Sequence, residues 1–404
     1  MTPETDYELP EGWRWAKLGE MCEVVTGTTP PRGEPRFYGG SIPWVKPEDL
    51  GDSVSVGTSA EGLTEQGLLA ARLLPAGSVL VTCIGNIGKC GVAAKPLTTN
   101  QQINSLIPGD RVDSLFLYYT CTLRRDYLRK IASTALLPIL NKSTFAAIPV
   151  PLPPLPEQRR IAAILTEQMA AVDRARAAAE AQLQAAQALP AAYLREVFES
   201  EEARSWPRLT LGQVACVQSG YAFRSEWFTP EGIRLLRNAN VHQGYVAWHD
   251  TARLPECRRR EFAEYELLEG DIVLSLDRPF VADGLKVARL GAGDVPSLLL
   301  QRVARLCLDP NVNPQFVYAF LRSDAFVAAT RGHDQSLGVP HISPLQVGAV
   351  ELPLPPVQVQ ARVCALLADE AALVTSAREA LEAQLATVHA LPAALLRQAF
   401  SGGL

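Results

Sequence analysis

The amino-acid sequence predicts a mixed α/β (α+β) chain of two globular lobes separated by two long helices, which pair as an antiparallel coiled coil and give the chain a pseudo-two-fold axis. Three observations predict it. A helix-forming segment occurs twice at a constant offset of 202 residues, both copies carry an apolar seam at coiled-coil spacing, and the regions outside them hold short β-branched runs punctuated by glycine and proline. The expected order is a first lobe over 1–150, a helical spacer over 151–204, a second lobe over 205–352 and a second helical spacer over 353–404.

In the first lobe, runs such as SVLVTCIG read as strands because β-branched side chains suit a pleated surface, whereas FLYYTCTLRRDYLRKI has a helical pattern. Mainly antiparallel sheets with attached helices follow from that mixture. The first spacer contains EAQLQAAQALPAAYLREVF, ending at Phe198, which is dominated by the strong helix formers Ala, Leu, Gln, Glu and Arg. The prolines ahead of it sit where proline is tolerated, before a helix or in its first turn. Leu165, Met169, Val172, Arg176, Ala179, Leu183 and Ala186 follow alternating steps of four and three, a coiled-coil seam interrupted by one arginine. Pro190 is expected to break the helix, leaving a short terminal helix with Tyr193, Val197 and Phe198. Residues 157–189 would span about 50 Å at about 1.5 Å per residue, the length of a ruler between two lobes.

The second lobe contributes DIVLSLD as a strand and PQFVYAFLRSDAFVAAT as helix; its opening LGQVACVQSG echoes LGEMCEVVTG of the first, but the middles diverge. Its spacer repeats the earlier one. EAQLATVHALPAALLRQAF ends at Phe400, LPPVQVQARVCALL from Leu354 aligns with LPPLPEQRRIAAIL from Leu152, and Pro392 stands where Pro190 did. Leu367, Ala371, Val374, Arg378, Leu381, Leu385 and Val388 form the second seam. A single amphipathic helix would pack on its own domain, whereas two copies with the same seam, break and arginine favour packing on each other. Arg176 and Arg378 each precede a glutamate by four residues, Glu180 and Glu382, so each is either a surface pair on its own helix or a polar layer that sets register.

Composition narrows the function classes. A chain of 404 residues that is 48% hydrophobic and 20% charged buries two or three domain cores and is not disordered. It has no run of about 18 apolar residues and no basic-then-apolar leader, so a cytoplasmic protein is expected. Eight cysteines without a C-x-x-C pair or zinc-type spacing point to reduced, mostly packed thiols and no metal site. A net charge of −5 and a pI near 5.7 exclude nucleic-acid binding by bulk charge alone. Catalytic signatures are missing: there is no N-P-P-Y or D-P-P-Y, no Glu-x-Lys, and no pair of histidines at helical ligand spacing. GNIGKC departs from a phosphate-binding loop at Cys83, in place of its first glycine, and at Cys90, in place of the hydroxyl that holds magnesium.

TGTTPPRGEPRFYGGSIPWVKPEDL (Thr26–Leu50), PAGSVLVTCIGNIGKCGVA, TTNQQI and IPVPLPPLPEQRRIAAIL together resemble successive marks of the type I restriction-modification specificity subunits, and the likeness extends over essentially the whole chain. The resemblance implies that each lobe is a target recognition domain reading half of a split double-stranded DNA site, and that the spacers set the gap. It also implies that two DNA methyltransferase (modification) subunits dock, that restriction motor-nuclease subunits can join, and that no membrane is involved. The chain itself is then non-catalytic and binds no cofactor. The assembly would be an adenine-N6 DNA methyltransferase and ATP-dependent endonuclease, with S-adenosylmethionine, ATP and magnesium on the partners. Pro156 and Glu157 are replaced in the second copy by Gln358 and Val359, and the second lobe follows the pattern less closely. Two other readings stay open: a specificity subunit of another phage-defence or modification-only system, and a coiled-coil scaffold that binds proteins.

Candidate DNA contacts in the first lobe are Arg32, Arg36, Tyr38 and Lys46 in a Gly/Pro-rich stretch, with Asn86, Lys89, Gln101 and Gln102 in the polar family-like segments. Amides suit adenine edges; Arg and Lys suit guanine or phosphate. In the second lobe they are Arg224, Arg237, Asn238, Asn240, Arg278, Lys286 and Arg302, with His333 and His341 behind them, and the run Arg258, Arg259, Arg260 as a phosphate grip or a solvated face.

Overall fold

The computed structural model describes residues 9–51, 53–132, 138–281, 284–331 and 341–404. His333 lies outside the described residues. The chain divides into two units, one made of residues up to Glu180 together with Ala383–Leu404 and the other of Ala181–Glu382, so each contains a lobe and a piece of both long helices.

In the first unit a five-stranded sheet runs in the order Cys22–Thr26, Ile103–Pro108, Val79–Thr82, Cys90–Ala93, Ser55–Val56, antiparallel except at its last pair. A three-stranded sheet of Gly62–Leu63, Tyr38–Val45 and Thr98–Thr99 adjoins it in sequence. Strand alternation aims Val79, Val81 and Leu106 at the helix Ser114–Leu123, where Leu117 and Cys121 complete the core. The second lobe repeats the plan. Its four-stranded antiparallel sheet runs Ala215–Ser219, Val303–Leu308, Ile272–Ser275, Val287–Arg289, covered by the helix Pro314–Leu321, and a second sheet holds Ile233–Leu236 between Arg253–Leu254 and Ser297–Leu299. The expected strands and helices are all found at these places.

The two long helices span Leu155–Glu199 and Val357–Phe400. Inside the first unit, Ile161 and Leu165 near the start of one share a core with Leu396 and Phe400 near the end of the other, and Arg160 Nη2 donates to the Leu404 carbonyl at 2.7 Å. Inside the second unit, Leu194 and Phe198 share a core with Val363, and Arg362 pairs with Glu202 at 3.2 Å. The helical segments are antiparallel. Of the expected seam, Leu165, Val172 and Val374 are buried, with Leu183, Leu367 and Leu385 half-buried.

One expectation is corrected, and one choice left open by the sequence is answered. Pro190 and Pro392 lie within continuous helix instead of breaking it. Proline removes one backbone hydrogen bond, but Leu194 and Phe198 beyond the first, and Leu396 and Phe400 beyond the second, are locked into lobe cores that hold the following turns. The seam arginines are about half exposed: Arg378 pairs with Glu382 four residues on, at 3.6 Å, but Arg176 turns back to Asp173, at 3.1 Å, and not to Glu180. Both pairs lie on their own helices.

A buried glutamine anchors each helix start. Gln158 Oε1 accepts from the Asp113 N–H at 2.9 Å while its Nε2 donates to the Pro153 and Arg111 carbonyls; Gln360 accepts from Asn313 N–H at 2.9 Å and donates to Pro355. Asp113 and Asn313 in turn cap the lobe helices. No helix among the described residues is long and apolar enough to cross a membrane, and no cluster of three or more His, Cys, Asp or Glu is placed to hold a metal. Five of the eight cysteines are at least partly packed, while Cys216, Cys257 and Cys307 are exposed.

Candidate nucleic-acid interface

Register places the candidate loops of each lobe at one end of its sheet. In the first lobe Thr26 lies opposite Asn104 and Thr82 opposite Ile103, so the chain leaves or enters three neighbouring strands at the same edge. Gly27 N–H donates to Ile103, Thr28 to Thr99 and Cys83 to Gln102, at 2.8–3.0 Å. In the second lobe Gly220 donates to Val303, Tyr221 to Leu299 and Leu276 to Arg302 over the same distances. A Cβ on Gly27 would stand 2.2 Å from the Asn100 carbonyl oxygen, and one on Gly220 2.3 Å from that of Leu300, so glycine is what allows the loops to approach this closely. One backbone frame thus carries two different sets of side chains.

In the first lobe Trp44 is the buried floor, its Nε1 donating to Thr28 O at 3.1 Å. Tyr38 packs edge-on to it at 5.6 Å, and its hydroxyl donates to Pro30 O. Arg32 lies over both rings, mostly exposed, with Glu61 at 4.0 Å. Arg36 is exposed and pairs with Glu34 at 3.0 Å. Lys46 is different: almost fully buried, it lies over Trp44 and is hydrogen-bonded to Glu61, so it holds the frame together and does not reach outward. Hydrogen bonding by Lys46, with the charges of Lys46 and Arg32, holds the Glu61 carboxyl below the usual carboxylate range. Lys89 Nζ caps the carbonyls of Leu50 and Pro47 at 2.7 and 3.3 Å, likewise a tie between segments. Asn86 is exposed and accepts from Arg129 at 3.2 Å; exposed Gln101 accepts from Thr29, and Gln102 from Asn100 at 2.9 Å.

In the second lobe the outward groups are Arg278 and Arg302, both exposed and both with left-handed backbone, φ +46° and +71°. Arg302 Nη1 bonds Asp277 at 2.8 Å, and exposed His341 forms a backbone bridge with Asp277. Lys286 sits beside them at half burial, its N–H donating to Pro279 O at 2.7 Å. Asn240 is a correction: it is wholly buried, its amide spent on Arg237 N–H, Ala247 O and Asp250 O, and is a turn amide. Arg237 is drawn inward to Asp250 at 2.7 Å, while Asn238 is half-buried nearby. Arg224 is exposed and shares the Trp227 ring with Arg258. The basic run is largely neutralised, because the 3-10 turns of Glu256–Tyr265 place Glu261 against Arg258 at 2.8 Å and Glu256 and Glu266 against Arg259. Arg260 is exposed and forms no ion pair with the described residues.

Sequence reading missed Asp277, Thr28, Thr29 and Arg129. Asp277 meets Arg302 across 25 positions, a relation that exists only once strands pair. The glycines were visible, in VTG and QSG at the two lobe openings.

The family described as "Type I restriction modification DNA specificity domain" matches residues 10–182. The MjaVIII specificity subunit of Methanocaldococcus jannaschii is 26% identical over 382 residues, covering 87% of this chain and 84% of its own length. The chain is similar to type I restriction-modification specificity subunits over most of its length. Over its first part this chain is 43% identical to the EcoAI specificity subunit of Escherichia coli, in 167 residues that make up 41% of this chain but only 28% of that one. Its fold is that of the HsdS subunit from Thermoanaerobacter tengcongensis (TM-score 0.67, 21% identity, 99% and 100% of the two chains). It is also that of a chain from work on complex assembly and conformational transition of the type I R-M system (TM-score 0.76, 20% identity, 98% and 100%).

Proposed function

We propose that this subunit supplies sequence recognition, and no catalytic group, to a type I restriction-modification complex. Each lobe reads one part of a bipartite double-stranded DNA site with the loops at its sheet end, and the two long helices fix the gap. The observation that carries the reading is the shared loop frame with different occupants: Gly85 and Gln102 in the first lobe stand where the second has Arg278 and Arg302. Matched frames with unmatched donors suit two different base sequences. Two modification subunits supply methyl transfer with S-adenosylmethionine, and restriction subunits use ATP and magnesium. The acidic balance of −5 leaves much of the phosphate contact to those partners.

The test is reconstitution with a modification subunit and S-adenosylmethionine, followed by mapping of methylated adenines on random DNA. A two-part motif is expected, with Arg302→Ala relaxing only one part. Methylation without a motif, or relaxation of both parts alike, would overturn the proposal.

A further inference from the structure

We infer that Cys216 and Cys307 form a surface dithiol that low-molecular-weight disulfides convert into a cross-strand disulfide, a modification site separate from DNA reading. The strands Ala215–Ser219 and Val303–Leu308 run antiparallel with Cys216 directly opposite Cys307. At the two ends of this ladder Asp309 N–H donates to Val214 O at 2.9 Å and Gly220 N–H to Val303 O at 3.0 Å, so by alternation Cys216 and Cys307 are a hydrogen-bonded pair. Such pairs have Cα atoms about 5.5 Å apart, inside the range of about 4.4–6.8 Å that a disulfide spans without moving the backbone.

Both thiols lie on the same face. The next pair along it, Gln218 and Arg305, already touches across the strands at 3.1 Å, and Cys307 Sγ leans to within 3.7 Å of Gln218 Oε1. The opposite face sends Leu306 and Val217 to the core. Both cysteines are exposed and open into a groove of about 740 Å³ with Asp309 and Leu345 on its wall, so an oxidant can reach them. Cys22 and Cys83, by contrast, are buried, which pushes the first thiol up to about 12 and the second to about 11. In the first lobe the same ladder position holds Glu23 opposite Ile107, so the property belongs to the second lobe alone.

With oxidised glutathione, one cysteine thiolate attacks a glutathione sulfur, forming a mixed disulfide and expelling one glutathione thiolate. The other cysteine then attacks the protein-bound sulfur, closing the Cys216–Cys307 bond and releasing the second glutathione. Two electrons pass from the protein sulfurs to the glutathione sulfurs, and the two thiol protons leave with them or to solvent. Excess thiol reverses the reaction, so a reducing compartment keeps the pair open.

The test treats the full chain with oxidised glutathione, blocks remaining thiols, and examines non-reduced tryptic peptides by mass spectrometry. The expected product joins peptide 209–224 to peptide 306–322, is cleaved by dithiothreitol, and is unchanged in Cys257→Ser. In Cys216→Ser the link must vanish and glutathione must remain on Cys307, which then has no resolving partner. Stable glutathione on both cysteines without a link, a link to Cys257, or a link between chains would overturn the inference.

Discussion

Arg278 and Arg302 hold a backbone conformation that costs a side-chain-bearing residue on the order of 1–2 kcal/mol. At the place of Arg278 the first lobe has Gly85, with φ +71°, for which the conformation is free. A guanidinium kept at that cost, exposed at the loop end, is better explained by a ligand than by folding. Arg278→Gly is therefore expected to raise the stability of the second unit by up to about 1 kcal/mol, read by chemical denaturation, while weakening specific DNA binding by roughly 5- to 100-fold at fixed salt. A variant that is more stable and binds unchanged would assign the arginine no role in reading. Lys46 and Glu61 yield a second residue-scale prediction. Because the folded carboxyl is held below its ordinary value, the pair's contribution is present above that value and is lost as pH falls through the folded one. An NMR titration of the Glu61 carboxyl carbon should show a midpoint below an unstructured glutamate, moving back up in Lys46→Met.

The helices were legible because propensity, seam and repeat agree along dozens of residues, so no single position could mislead. Prolines misled because a local rule, one lost hydrogen bond, was outweighed by the tertiary anchors Phe198 and Phe400. At the site, residue type pointed to loops correctly but did not separate frame from surface: Lys46, Lys89 and Asn240 are polar residues consumed internally by partners up to 42 positions away. Gln158 and Gln360 show the reverse, an element-level feature that the repeat displayed and residue type alone did not. Each answers a buried N–H and carbonyls where its helix starts. Replacing either by Ala leaves those groups unpaired and is expected to cost about 2–3 kcal/mol, Gln158→Ala in the first unit and Gln360→Ala in the second. Unfolding followed by lobe-specific hydrogen exchange checks it; loss in the wrong unit, or none, would refute the staple.

Each unit is completed by a helix that follows the other lobe in sequence, and this reciprocity makes an unusual demand. Phe400, at the end of the second long helix, packs at 5.2 Å on Phe116 of the first lobe, while Phe198, at the end of the first helix, packs at 5.4 Å on Phe316 of the second. The last turns also meet the first described residues, a Cβ on Gly402 falling 2.7 Å from Pro10. A chain ending after Leu391 loses Leu396, Ala399 and Phe400 and uncovers Phe116, Tyr119 and Leu165. Removing one buried phenylalanine typically costs about 3–5 kcal/mol, so this truncation should unfold or loosen the first lobe, at the far end of the sequence. Hydrogen exchange is expected to rise across Ser114–Leu123 and stay low across Val303–Leu308, with Phe400→Ala giving a milder version and Phe198→Ala the mirror image. Equal loss of protection in both stretches would mean that the cut acts on the chain as a whole, and the unit-by-unit account of stability would have to be abandoned.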